Sequence, residues 1–206
     1  MKIIDKTVTA FTEELASPAP IPGGGGASAL AGAIGIALGD MVGELTTGKK
    51  KYTDVEKDIQ ALMVRAQSLR VRLLELVDGD AEAFAPLAKA YGIPRTDPKR
   101  DSIMETALRT ACGVPMEIMR TCAEALDVIE EFAAKGSRLA ISDAGCGAIL
   151  CKAAMQAASL NVFINTKAMK DREYAKDLEA EANDLLFKYT ALGDEIYVSV
   201  LGKIRG

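Results

Sequence analysis

Asp80 and Asp143, the run Gly23, Gly24, Gly25 and Gly26 with Ser28 behind it, the triplet Lys49, Lys50 and Lys51, and Asn161 are the positions where this sequence offers groups able to do chemistry. The chain has no histidine. That removes Ser-His-Asp and Cys-His catalysis and nearly all zinc hydrolysis, since each relies on imidazole. Acid–base work is left to carboxylate, lysine, tyrosine, thiol or water. Cys112, Cys122, Cys146 and Cys151 sit at spacings that fit no zinc pattern, so they read as reduced core thiols and no metal site is expected.

Asp80 interrupts an apolar stripe. Ile59, Leu62, Met63, Ala66, Leu69, Leu73 and Leu76 recur at helical spacing, and the same register runs through Asp80 to Phe84 and Leu87. A carboxylate on the core face needs a partner, a raised pKa or a cationic ligand, because burying an unpaired charge is costly. A structural salt bridge would serve as well as a catalytic role. Asp143 follows Ser142 at the start of an Ala-rich segment, where Ser142 as N-cap and an acid in the first turn are ordinary helix chemistry. Asn161 lies five helical turns beyond Asp143, on the same face and about 27 Å further along. One small reacting centre within a single chain cannot touch both.

The glycine run opens directly into a helix, so its free N–H groups and the positive end of the helix dipole suit an anion or a polar ligand edge. Its spacing is that of neither a P-loop nor a dinucleotide fingerprint, and a turn permitting close packing is the alternative. The three lysines stand just past the C-terminus of the same helix. There they complement the dipole and are solvated, or they receive a polyanionic substrate tail.

These residues must be carried by helices. Apolar positions recur at helical spacing almost throughout, with no alternation of strand type. The pattern predicts helices over Thr7–Ala16, Ala27–Thr46, Thr53–Tyr91, Pro98–Ala134, Ser142–Met169 and Arg172–Lys203, with Pro86 and Pro115 kinking or dividing the longest two. The expected fold is all-α, an up-and-down bundle of long kinked helices forming one domain over residues 1–206. Ala27, Ala31, Gly35, Gly39 and Gly43 fall four apart, a ridge of small residues that belongs at the centre of a bundle or across a dimer axis.

The chain is 49% hydrophobic and 26% charged, a folded rather than a disordered composition. A net charge of -4 argues against non-specific nucleic-acid binding. The uncharged run from Ser17 to Gly39 is broken by prolines and glycines in its first half and ends at Asp40, short of the ~20 apolar residues of a membrane span. No signal peptide opens the sequence, and a cytoplasmic location is expected.

Taken together, Ser17-Pro18 with Pro22-Gly23-Gly24-Gly25, the helix from Ala31-Gly32-Ala33 to Met41-Val42, Leu45-Thr46 with Gly48 to Tyr52, Asp80 with Ala83-Phe84, Val114-Pro115, Ser142-Asp143, and Asn161-Val162 with Asn165 resemble the cyclodeaminase/cyclohydrolase family. That family comprises the C-terminal domain of formiminotransferase-cyclodeaminase and free-standing bacterial methenyltetrahydrofolate cyclohydrolases. Gly26 departs from a frequent Ser, leaving Ser28 as the nearest hydroxyl, and Met116 from a usual Leu. The resemblance implies an all-helical homodimer acting on a mono- or polyglutamylated tetrahydrofolate, with no cofactor beyond that substrate. On this reading Asp80 and Asp143 stabilise the cationic one-carbon unit and move protons. The glycine run with Ser28 and Asn161 positions the pterin, and Lys49 to Lys51 take the glutamate carboxylates. A chain without a formiminotransferase domain favours the cyclohydrolase over the cyclodeaminase, and a catalytically silent folate-binding scaffold is the third reading.

Overall fold

The structure is a computed structural model and describes residues 2–206. Helices α1 (Val8–Leu15), α2 (Gly24–Glu44), α3 (Glu56–Tyr91), α4 (Arg100–Lys135), α5 (Ile141–Ala168) and α6 (Arg172–Arg205) are joined by short connections, with 3-10 turns at Ile3–Asp5, Lys50–Val55 and Arg138–Ala140. No strand occurs among the described residues, so the all-α expectation holds. The long helices α3 and α4 continue through Pro86 and Pro115 without dividing.

Each long helix packs antiparallel on the next, as residues brought together from opposite ends show. Asp80 meets Gly26 while Met63 meets Gly43 between α3 and α2. Lys135 pairs with Asp58, and Arg72 with Glu117, between α4 and α3. Lys152 pairs with Asp194 between α5 and α6. Helix α2 is the centre, in contact with α3, α4 and α5, and Ile36, Leu73, Met119, Leu126, Ile129 and Phe132 are fully buried around it.

The small-residue ridge works inside the protomer. A Cβ on Gly35 would stand 2.9 Å from the Gly147 carbonyl oxygen and 2.5 Å from Cys151 Sγ, and one on Gly147 would stand 2.6 Å from the Gly35 oxygen. Two glycines thus let α2 and α5 touch backbone to backbone. Gly39 and Gly43 likewise face Ile129 and Phe132 of α4. Of the two places the ridge could have occupied, the centre of the bundle is the one it takes. The outward surface of α2 is instead Ile34, Met41 and Leu45, all exposed.

Both α2 and the stretch Arg138–Ala168 are long and apolar enough by composition to cross a membrane, with 56% and 44% of those windows buried inside the protein.

Candidate active site

Helix α2 begins at Gly24, three residues before the position expected from the sequence, so the glycine run is its first turn. Glycine has poor helix propensity, and the reason for its presence lies across the gap on α3. Asp80 Oδ2 accepts a hydrogen bond from the Gly26 N–H at 2.9 Å. A Cβ on Gly25 would fall 2.0 Å from Asp80 Oδ1, so only glycine leaves room for the carboxylate. Gly23, the N-cap, has no capping side chain, and Asp80 supplies from another helix the acceptor that a Ser or Asp cap would give.

Asp80 therefore has a partner, and it is a backbone N–H rather than a cation. Burial pushes its carboxyl above the ordinary value of 3.8, and the Gly26 N–H opposes that shift without cancelling it. One half-buried acid is held with a proton affinity above that of a surface aspartate.

Beside this pair lies a cleft of about 200 Å³. Gly23, Gly24, Gly25, Asp80 and Asn161 all line it, so the structure brings together five of the residues singled out in the sequence. The N–H groups of Gly24 and Gly25 have no acceptor within a helix that starts there. Asn161 faces Gly24, whose Cβ would stand 3.5 Å from the amide nitrogen, while that nitrogen donates to the Ala157 carbonyl at 3.2 Å. Its amide oxygen is left as an acceptor.

Among the residues that had not been assigned to the site but line the cleft are Phe84 and Tyr91 on α3, and Ile164 and Asn165 on α5, with Ala111 and Pro115 of α4 closing it. The first two extend the register of Asp80 by one and three turns, and Asn165 sits one turn beyond Asn161. Helical periodicity carried that signal, but it could not say where the core ends and a cavity begins. Asn165 Nδ2 points to the Ala111 carbonyl at 3.4 Å. The cleft thus offers a carboxylate, amide oxygens and free N–H groups between aromatic and aliphatic walls, suited to a flat polar heterocycle.

The remaining singled-out residues lie elsewhere. Gly26 and Ser28 are buried and do not line the cleft. The Ser28 hydroxyl donates to the Gly24 carbonyl at 2.6 Å, so it does not stand in for the missing Ser at position 26. Asp143, half-buried, is in the first turn of α5, at the end opposite Asn161. Ser142 is not the N-cap expected of it: α5 starts at Ile141, out of the 3-10 turn Arg138–Ala140. Lys49, Lys50 and Lys51 are exposed after α2, and Lys51 joins Tyr52, Lys135, Arg138 and Lys203 around a second hollow of about 190 Å³. The Arg138 N–H donates to the Tyr52 hydroxyl at 3.1 Å and holds that phenol below its ordinary range. Within one protomer, the cleft and this basic end do not meet.

Cys112, Cys122 and Cys151 are buried free thiols, as expected, while Cys146 is exposed. Burial pushes the Cys112 and Cys122 thiols up to about 12. No group of three metal-ligating side chains occurs among the described residues.

Comparison with known proteins adds the context for this geometry. Residues 7–184 match the family model described as formiminotransferase-cyclodeaminase. A methenyltetrahydrofolate cyclohydrolase of Methylorubrum extorquens is 41% identical over 205 residues, spanning 98% of this chain and 99% of that protein. A formimidoyltransferase-cyclodeaminase of Rattus norvegicus is 29% identical over 188 residues, 89% of this chain and 35% of its own length. The crystal structure of a formiminotetrahydrofolate cyclodeaminase from Thermotoga maritima superposes with a TM-score of 0.86 at 29% identity, covering 100% of this chain and 98% of that one.

Proposed function

Because the chain belongs to the formiminotransferase-cyclodeaminase family, we propose that it is a methenyltetrahydrofolate cyclohydrolase, converting 5,10-methenyltetrahydrofolate and water to 10-formyltetrahydrofolate. The observation that carries this reading is the 41% identity to a cyclohydrolase over nearly the whole of both chains, against 29% to the rat cyclodeaminase. The extent of the match does not separate the two activities, since the Thermotoga maritima cyclodeaminase is also covered over 98% of its length.

The cleft has what the reaction needs. The pterin lies between the walls of Phe84, Tyr91 and Ile164, with its polar edge on the Gly24 and Gly25 N–H groups and on Asn161. The substrate carbon is cationic, and a carboxylate beside it stabilises that charge. As the oxygen of water bonds to the methenyl carbon, Asp80 takes a proton from it. Collapse of the tetrahedral adduct breaks the carbon–N5 bond, the hydroxyl proton passes to N5, and one proton leaves to solvent. A carboxyl with raised proton affinity is better matched to this transfer than a surface aspartate. No metal or further cofactor enters these steps.

Asp143 is the second acid of the reaction and Lys49 to Lys51 hold the glutamate tail, both reaching the cleft from the other subunit of a cytoplasmic homodimer. Purified protein assayed with 5,10-methenyltetrahydrofolate and, separately, with 5-formiminotetrahydrofolate while ammonia is followed tests the assignment. Hydrolysis of the first without ammonia from the second is expected. Ammonia release as the faster reaction would make it a cyclodeaminase, and binding without turnover of either would make it a scaffold.

A further inference from the structure

Among the described residues, two buried side-chain atoms stand without a hydrogen-bond partner, Asp40 Oδ1 and Arg70 Nε. Both residues line one hollow of about 320 Å³ between α2 and α3. Buried polar atoms are nearly always paired, and a charged group left unpaired costs more than a neutral one. Two such groups of opposite charge at one place call for a common explanation. The hollow is separate from the active cleft: the two share no lining residue, and Arg70 precedes Asp80 on α3 by ten residues, about 15 Å along the helix.

We propose that this hollow binds a free α-amino acid with an apolar side chain, its carboxylate on the Arg70 guanidinium, its ammonium between the Asp40 and Glu44 carboxylates, and its side chain against Met63 and Val64. The proposal does not depend on the folate reading of the cleft, and three observations lead to it.

The first is the balance of charge. Asp40 and Glu44 are one turn apart on α2 and both line the hollow, so their carboxylates share a face. Burial pushes the Asp40 carboxyl above its ordinary value of 3.8; Arg70 opposes that shift and Glu44 adds to it. An anion entering alone meets two carboxylates, and a cation entering alone leaves Arg70 Nε unpaired. A molecule with a positive and a negative end answers both.

The second is the donor and acceptor geometry. An unpartnered Nε gives arginine a side-on fork, with a neighbouring terminal nitrogen, that matches the two oxygens of a carboxylate. An ammonium has three donors, and acceptors are what the rest of the hollow supplies. Gln60 Nε2 donates to Glu56 Oε1 at 3.2 Å, which fixes that amide and leaves its oxygen as an acceptor beyond Asp40 and Glu44.

The third is room and wall. A volume of about 320 Å³ far exceeds the roughly 10–15 Å³ that one bridging water needs, so a small molecule fits. Met63 is half-buried and Val64 is 70% exposed. They form an apolar wall beside the charged groups, where an aliphatic side chain gains by covering them.

Three probes on one carbon frame test the proposal: L-leucine carries both charges, 4-methylpentanoate lacks the ammonium, and 3-methylbutylamine lacks the carboxylate. Isothermal titration of the full wild-type chain should give a saturable site for L-leucine, with each one-ended probe about tenfold weaker or more, because each has lost a charge-assisted contact. That comparison needs no variant to fold. Arg70→Gln should then weaken L-leucine about tenfold or more and leave 3-methylbutylamine no weaker, while Asp40→Asn should weaken both of these and leave 4-methylpentanoate no weaker. No saturable site for L-leucine by roughly 10 mM, a one-ended probe that binds as tightly as L-leucine, or wild-type affinity for L-leucine in either folded variant would overturn the proposal. Turnover of either folate is a separate measurement, and its failure would sink the reading of the cleft without touching this one.

Discussion

The two ends of this protomer treat charge in opposite ways. At one end a single carboxylate, Asp80, is half-buried, held by one backbone N–H and walled by Phe84 and Tyr91. At the other, three consecutive lysines stand in solvent and a half-buried aspartate closes the first turn of α5. The cleft end is pre-organised within one chain. The basic end has charge without enclosure, and charge in water is worth little until something covers it. The contrast predicts that changes at the first end act on chemistry, while changes at the second act on chemistry only through assembly and on binding through charge.

The largest effect is expected from Asp80→Asn, which keeps shape and an acceptor for Gly26. Loss of a positioned acid–base group lowers kcat by roughly 10² to 10⁴. Because burial raises the Asp80 pKa above 3.8, the wild-type rate should climb with pH through a midpoint above that of an ordinary aspartate, and the variant should lose that limb. The same shift fixes the sign for stability. A folded-state pKa above the unfolded one means that stability falls as pH rises through that interval, so at neutral pH Asp80→Asn should melt no lower than wild type. A pH profile and a melt on one preparation check both.

Next comes Gly25→Ala. A methyl placed 2.0 Å from Asp80 Oδ1 must displace the carboxylate from its place, and misplacement by about 1 Å costs on the order of a hundredfold in rate. A fold intact by circular dichroism with kcat near wild type would show that the carboxylate's position is immaterial.

Asp143→Asn should cost about 3 kcal/mol of transition-state stabilisation, about a hundredfold in rate, with normal folding. An effect within a few-fold would return Asp143 to a helix-terminus charge and leave the two ends functionally separate. The smallest effect belongs to Lys49, Lys50 and Lys51 changed together to Ala. KM should rise a few-fold more for polyglutamylated than for monoglutamylated substrate, and the gap should close as salt is added. Equal changes for both substrates would leave these lysines as solvated surface.

Much of this was legible in the sequence because helical periodicity reports what a face is made of. The stripe from Ile59 to Leu87 placed Asp80 on the core side of α3, and there it is. What periodicity does not report is what a face meets. The ridge from Ala27 to Gly43 signalled close backbone approach, and close approach occurs, but to α4 and α5 of the same chain. Ser28 seemed a free hydroxyl and is turned back onto its own helix. Tyr91 and Asn165 stood in the right registers, yet their importance depends on a gap between four helices that no single helix encodes. The start of α2 at Gly24 went unread because glycine argues against a helix locally, and only the carboxylate on α3 explains why glycine is there.

The contact between Gly35 and Gly147 has a mechanical consequence. With no side chains between them, α2 and α5 approach as closely as two helices can, so the pair forms one beam along the side of the cleft. Gly24 and Asn161, on one side of the cleft, ride on that beam, whereas Asp80, Phe84 and Tyr91 belong to α3. The distance of α3 from that beam sets one dimension of the cleft, and the hydrogen bond from Gly26 to Asp80 spans it. In the mechanism proposed above, a proton taken up by Asp80 weakens the acceptor of that bond, so chemistry and the tie across the cleft share one carboxylate.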